Sequence, residues 1–212
     1  MAKSSEADPS VFVQLAAAVP LERLTARSDL PTTLLEAAAA FVAARGSAAT
    51  IADALADVDQ PCLTTALLAI EASLGLADAW IPLSERVTTS GELTQDDAKQ
   101  LRAIRLTRPA AGERSAYRGA GLFGIAVRAS FSDEGATVDV QVALGGVSRH
   151  PQRARQVEAA LRGRRASEEL IAVALETAVQ ESRPAGVGSL TAEADLAALR
   201  SITGEALRAA LL

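Results

Sequence analysis

The clearest pattern along the chain is an alternation of apolar and polar positions between residues 124 and 145. Ile125, Val127, Ala129 and Phe131 share one face of a run that ends at Ser132-Asp133-Glu134-Gly135. Val138, Val140, Val142 and Leu144 then alternate with Asp139, Gln141 and Ala143. A period of two on both sides of a glycine-bearing turn predicts a β-hairpin. Arg102 to Arg108 also alternates and stops at Pro109. It reads as a third strand beside the hairpin, giving a three-stranded antiparallel sheet. Trp80-Ile81-Pro82-Leu83 reads as an edge strand, because proline cannot donate within a central ladder. Val11 to Val13 reads as another short strand.

Helical periods fill much of the rest. Asp29-Leu30-Pro31 opens a helix over Thr32 to Ala44, with Asp29 as N-cap and Gly46 in the left-handed stop position. Leu15 to Leu24 holds Pro20 and is not one regular helix. Thr50 to Leu55 is ambiguous. Leu63, Leu67, Leu68, Ile70 and Leu74 recur at helical spacing and predict a helix from Pro61 to Leu74, stopped by Gly75. Thr88 to Glu92 reads as a turn and Asp96 to Gln100 as a polar stretch. Pro151 opens a helix to about Leu161 that ends at Arg162-Gly163. Ser167 caps another to Ser182, with Leu170, Ile171, Val173, Ala174 and Val179 as its apolar face. Pro184 to Leu190 reads as a loop, and Leu196 to Leu212 as a last helix with an interruption at Gly204.

Composition narrows the classes. Of 212 residues, 49% are hydrophobic but only 3% aromatic, so the core is built from Ala, Leu, Val and Ile. The net charge of -5 gives no basic excess for nucleic acid. One cysteine, Cys62, permits no intrachain disulfide and fits a reducing compartment. Met1 to Ser10 is a poorly tied terminus carrying Lys3, Glu6 and Asp8, without the apolar stretch of a signal peptide. Apolar runs fall far short of the ~20 residues of a membrane span. A cytoplasmic protein is expected.

Four collinear segments then resemble one family. Leu144-Gly145-Gly146-Val147, followed by Pro151, Arg153-Ala154 and Val157-Glu158-Ala159-Ala160-Leu161, resembles a strand end and helix in the C-terminal domain of flavoprotein (medium, FAD-binding) subunits of molybdenum hydroxylases, the carbon monoxide and xanthine dehydrogenase type. Leu101 to Pro109 (LRAIRLTRP) resembles the segment that joins their FAD domain to that domain. Leu24 to Leu55 resembles their second FAD subdomain, and Ala66-Leu67-Leu68-Ala69-Ile70-Glu71-Ala72 the helix after it. The resemblance covers about residues 20–212.

The departures concern flavin. The family's first FAD loop is rich in glycine, so that main-chain N–H groups can approach the pyrophosphate. Nothing before Arg45 holds a Gly-Gly pair, and the resemblance implies that the family's first FAD subdomain is missing from this sequence. The second loop, Thr-Ile-Gly-Gly-Asn in the family, is Thr50-Ile51-Ala52-Asp53-Ala54 here. Asp53 puts a carboxylate where phosphate would sit, and like charges ~4 Å apart repel by ~1 kcal/mol even in water. Pro61-Cys62-Leu63 occupies the stretch of a further family acid, and Arg118-Gly119-Ala120-Gly121-Leu122-Phe123 lacks the family's aspartate before the hairpin.

Each candidate residue also has a plain reading. Thr50, with Ile51 beside it, is a phosphate contact on the resemblance and a helix cap or turn on local grounds. Gly145-Gly146 reads chiefly as a strand-to-loop bend, and the Gly119, Gly121, Gly124 triplet as flexible loop, since a dinucleotide fingerprint follows a strand and precedes a helix. His150, the single histidine, reads as a solvated loop residue. Cys62 lacks a metal-ligating partner nearby and reads as packing. Arg153, Arg155, Arg162, Arg164 and Arg165, in a cluster that begins at Arg149, form either a docking face for an acidic partner or a solvated helix face. Trp80 and Tyr117 are interface anchors or packing under a loop.

The expected fold is α+β: a terminal segment 1–19, a reduced α/β remnant of the FAD domain over 20–108, and a three-stranded antiparallel sheet packed on helices over 109–212. The expected role is a structural or assembly subunit of a molybdenum hydroxylase-type complex, with weak or no FAD binding. Its partners would be the molybdenum-cofactor large subunit and the iron–sulfur small subunit. The alternative is a working flavoprotein that passes electrons from iron–sulfur clusters to an acceptor, with another chain supplying the missing subdomain. A free-standing binding module on the same scaffold is a third.

Overall fold

The structure is a computed structural model that describes residues 11–57, 59–77, 79–90, 95–148, 150–182 and 193–212. It is α+β, with two antiparallel four-stranded sheets. The first holds β1 (Phe12–Ala16), β4 (Leu101–Thr107), β2 (Ser73–Leu76) and β3 (Ala79–Pro82), in that order. The second holds β5 (Arg114–Ala120), β6 (Phe123–Phe131), β7 (Thr137–Gly145) and β8 (Gln152–Arg153), in chain order. Proline-containing β3 sits at an edge, as its sequence requires.

The strand over 101–107 joins the first sheet, not the hairpin. Leu106 pairs with Val13, and Ile104 pairs with both Leu15 and Leu74. The hairpin's outer neighbour is β5, where a flexible loop was expected. Its sequence, Arg-Ser-Ala-Tyr-Arg-Gly-Ala, has no β-branched residue and no alternating apolar face, so its pairing comes from β6 alone. The second sheet therefore has four strands rather than three.

Helix α1 (Thr32–Arg45) starts at Pro31, whose fixed φ replaces a side-chain cap. Asp29 caps nothing. It binds Arg27 through two hydrogen bonds of 2.9 and 2.6 Å, and that guanidinium holds its carboxyl down to about 2. Gly46 ends α1 at φ 101° and ψ 163°, a glycine conformation outside the left-handed helical region expected for it. Helix α2 (Ile51–Ala56) resolves the ambiguous stretch. Helix α3 (Cys62–Ala69) stops five residues earlier than periodicity suggests, because Glu71 turns left-handed at φ 53° and the Ala72 N–H reaches back to the Leu67 carbonyl. A non-glycine stop leaves no sequence signal. Leu74 and Gly75 belong to β2 instead.

Helix α4 (Leu83–Ser90) carries helical backbone through the expected turn, since no breaker precedes Gly91; Glu92 lies outside the described residues. Helix α5 (Gln95–Gln100) leads into β4. Pro151 opens β8 rather than a helix, and α6 (Arg155–Leu161) follows. Helix α7 (Glu168–Glu181) is capped by Ser167, whose hydroxyl oxygen accepts the Leu170 N–H, and Val173 on it points to solvent. Helix α8 (Glu193–Leu211) runs unbroken through Gly204, anchored by buried Leu199, Ile202, Ala206 and Leu207. The loop expected over Pro184–Leu190 lies outside the described residues.

The second sheet is buried on both faces. Ile125, Val127, Ala129, Val140, Val142 and Leu144 pack with α6, α7 and α8. Tyr117, Ala126 and Ala143 on the other face join the core of the first sheet with α1, α2 and α3. Two polar anchors fix α1 to it: the Thr33 hydroxyl donates to the Val127 carbonyl at 3.1 Å, and Glu36 accepts the Tyr117 N–H at 2.6 Å. Val138 is exposed because it is the extra residue of a bulge that pairs Phe131 with Thr137.

Candidate functional site

Thr50 and Ile51 sit where β1's outgoing turn meets the start of α2, with Thr50 bridged to Pro20. Four main-chain N–H groups in a row face this turn. The Thr50 N–H donates to the Asp53 carboxylate at 2.9 Å. The Ile51 N–H donates to the Val19 carbonyl at 3.2 Å, and the Ala52 N–H to the Ala17 carbonyl at 3.0 Å. The Asp53 N–H donates to the Thr50 hydroxyl oxygen at 3.3 Å, while that hydroxyl donates to the Asp53 carboxylate at 2.7 Å. This is a closed capping box. A diphosphate held by such a loop needs free, convergent N–H donors and glycine-like access. Here all four donors have protein acceptors, Ile51 is fully buried, and Asp53 sets a fixed negative charge on the same amides. These residues do not fit a diphosphate.

Four of the five glycines suspected of flexibility or ligand contact are packing devices; Gly121, at φ 59° with open space around it, turns the chain between β5 and β6. Gly124 pairs with Gly145 and Ala126 with Ala143, which lays a track of small residues beneath α3. A Cβ on Gly145 would lie 2.2 Å from the Thr65 hydroxyl oxygen. A Cβ on Gly146, at φ 77°, would lie 2.1 Å from the Leu122 carbonyl. Gly119 and Gly124 face each other across β5 and β6, and the Tyr117 ring covers both; its hydroxyl would be 2.9 and 2.6 Å from their added Cβ atoms. Tyr117 is thus packing within the core, and burial pushes its phenol well above the ordinary range. Cys62 beside it is buried, and burial raises its thiol, with the Tyr117 hydrogen bond opposing. Trp80 lies over Gly75 with the Arg105 guanidinium 4.5 Å from its ring centroid.

The arginine cluster does not form one face. Arg153 is 8% exposed and binds Glu158, which is 3% exposed, through Nε. Arg153 also reaches Glu71 at 3.3 Å, which ties β8 to the turn after α3. Glu158 accepts the Val142 N–H at 3.0 Å as well, closing β7 where the two-residue β8 runs out. Arg155 makes a 3.3 Å contact with the same carboxylate, and Arg162 one of 3.5 Å with Asp139. Arg164 and Arg165 face solvent, and Arg149 lies outside the described residues. The role of Glu158 was missed from sequence. Its signal is periodicity: it stands three residues before Leu161 and four after Ala154, on the core-facing side of α6. His150 is half-buried and lines a cavity with Arg153 and Arg155. Among the described residues no cluster of metal-ligating side chains occurs, and no helix is long and apolar enough to cross a membrane.

A buried antiparallel sheet with helices on both faces, joined to a second sheet through β4, is the fold of a chain found in carbon monoxide dehydrogenase and its relatives. A chain of the carbon monoxide dehydrogenase from Hydrogenophaga pseudoflava, in a form lacking the Mo-pyranopterin moiety of the molybdenum cofactor, superposes with a TM-score of 0.75 at 23% identity, over 96% of this chain and 76% of that one. A chain of reconstituted CO dehydrogenase from Oligotropha carboxidovorans gives 0.73 at 19% identity, over 94% and 75%. A chain of quinoline 2-oxidoreductase from Pseudomonas putida 86 gives 0.72 at 19%, over 96% and 76%. Residues 118–209 match the CO dehydrogenase flavoprotein C-terminal domain. No curated protein matches the chain. The resemblance read from residues 144–161 lies inside the matched stretch.

Proposed function

We propose that the chain is a structural or assembly subunit of a molybdenum hydroxylase-type oxidoreductase complex, one that keeps the flavoprotein fold and does not load FAD at Thr50–Asp53. The carrying observation is the hydrogen bonding of that loop: Asp53, Val19, Ala17 and Thr50 accept the four N–H groups a diphosphate would need. Its partners are a molybdenum-cofactor large subunit and an iron–sulfur small subunit, in the cytoplasm. The match of residues 118–209 to the flavoprotein C-terminal domain supports that placement.

Co-expression with a molybdenum-cofactor large subunit and an iron–sulfur small subunit tests the reading. A stable complex whose visible spectrum shows iron–sulfur clusters without flavin is expected. Failure to co-purify with either subunit type removes the assembly role. The alternative, an FAD-binding electron-transfer subunit, draws support from the fold match over 96% of the chain. A complex that carries one flavin per copy of this chain establishes that alternative.

A further inference from the structure

Away from the Thr50–Asp53 loop, α3, α4 and residues 148 and 150–155 line a half-open cavity of about 390 Å³. Leu68, Val87 and Pro151 supply apolar wall, and His150, Gln152 and Arg155 supply polar groups. Among the described residues no carboxylate lines it. Small-molecule sites have this character: concave, mostly apolar, with a few convergent polar groups.

The charges sort into used and available ones. Arg153 also lines the cavity, but Glu158 and Glu71 already hold its guanidinium. Arg155 differs. Its side chain is 67% exposed, and among the described residues it makes one contact, the 3.3 Å bond to Glu158 through a single terminal nitrogen. Its other N–H groups have no described partner. Among the described residues the His150 imidazole likewise has none; its main-chain carbonyl accepts from the Ser148 hydroxyl. Arginine presents a planar fork that suits a carboxylate, and a charge-assisted pair is stronger than a neutral one.

We infer that this cavity binds a small monocarboxylate with a flat apolar body, its carboxylate on Arg155 and His150 and its body against Leu68, Val87 and Pro151. The site is separate from the loop discussed above and does not depend on the subunit role. Glu158 keeps Arg153 and the Val142 N–H when Arg155 is removed, so the site can be altered without opening the fold.

His150 is the chain's single histidine, which makes its ring an unambiguous NMR reporter. Benzoate titrated into the full-length chain should shift the His150 ring signals saturably. Arg155→Ala should raise the half-saturation concentration about tenfold or more, the loss expected for a hydrogen bond to a charged group. Arg155→Lys should weaken binding less. Inorganic phosphate, which cannot use the apolar wall, should give a smaller, non-saturating shift. The inference is overturned if benzoate gives no saturable shift, if Arg155→Ala binds as the parent does, or if phosphate binds as well as benzoate. Cooperative urea unfolding of both Arg155 variants, with midpoints close to the parent's, establishes that the comparison is between folded proteins.

Discussion

The Asp53 carboxylate accepts the Thr50 N–H at 2.9 Å, and the Thr50 hydroxyl oxygen accepts the Asp53 N–H at 3.3 Å. Each residue answers the other's main-chain donor, so the start of α2 is satisfied from within. Loss of such a cap costs about 1 kcal/mol. Asp53→Ala and Thr50→Ala should each lower the melting temperature by roughly 2–4 °C, the usual shift per kcal/mol for a chain of this size. A double variant should lose less than the sum, because both replacements break one shared unit. Strict additivity in thermal unfolding would show that the box is not cooperative.

Glu158 and Arg153 form a pair that is almost wholly buried. Glu158→Ala leaves a buried guanidinium with only the exposed Glu71, at 3.3 Å, and leaves the Val142 N–H unanswered. Such removal of one partner costs about 3–5 kcal/mol. Urea unfolding should show this loss for Glu158→Ala and a much smaller one for Arg155→Ala on the same helix. Equal effects would mean that exposure, not pairing, governs this region.

Gly145 and Gly146 make opposite predictions about repair. The obstacle to a side chain at Gly145 is the Thr65 hydroxyl, a group that can be deleted. Gly145→Ala should destabilise by about 1–3 kcal/mol, as overpacking does, and Thr65→Ala in the same chain should recover most of it. The obstacle at Gly146 is the Leu122 carbonyl of the main chain, and its φ of 77° adds strain. No neighbouring side-chain change should rescue Gly146→Ala. Chemical denaturation of the three variants separates the cases.

Cys62 should be silent in the native state. Burial raises its thiol, so the neutral form is favoured in the fold beyond the range where an unfolded thiol ionises. A raised acid contributes stability that is fully present below its unfolded value and lost as pH rises toward its folded one. Stability should therefore decline as pH climbs above ~8.5, the ordinary thiol value. Cys62→Ala should flatten that decline below ~10, where tyrosine ionisation begins to add the Tyr117 contribution. Ellman's reagent should label the thiol only at the unfolding rate. Rapid stoichiometric labelling of folded protein would contradict this burial.

Residues 124–145 carry their own structure in sequence, because a period of two and a glycine turn are local facts. The same holds for α1, α7 and the edge strand at Pro82. The absence of glycine at 52 and 53 is equally local, read directly from the chain. Other features depend on what lies across space. Arg114 to Ala120 becomes a strand only because β6 pairs with it. The glycines of the second sheet are set by Tyr117 and Thr65, the nearest of which is two residues away and the farthest 80 in the chain. Periodicity places Glu158 on the core face of α6, but its partners, Arg153 on β8 and Val142 on β7, become visible only once those strands are laid side by side. Local chemistry fixes φ and hydrogen-bonding preference along the chain. Which donor meets which acceptor, including the Ala17 and Val19 carbonyls that close the 50–53 loop, is decided by packing between segments distant in sequence.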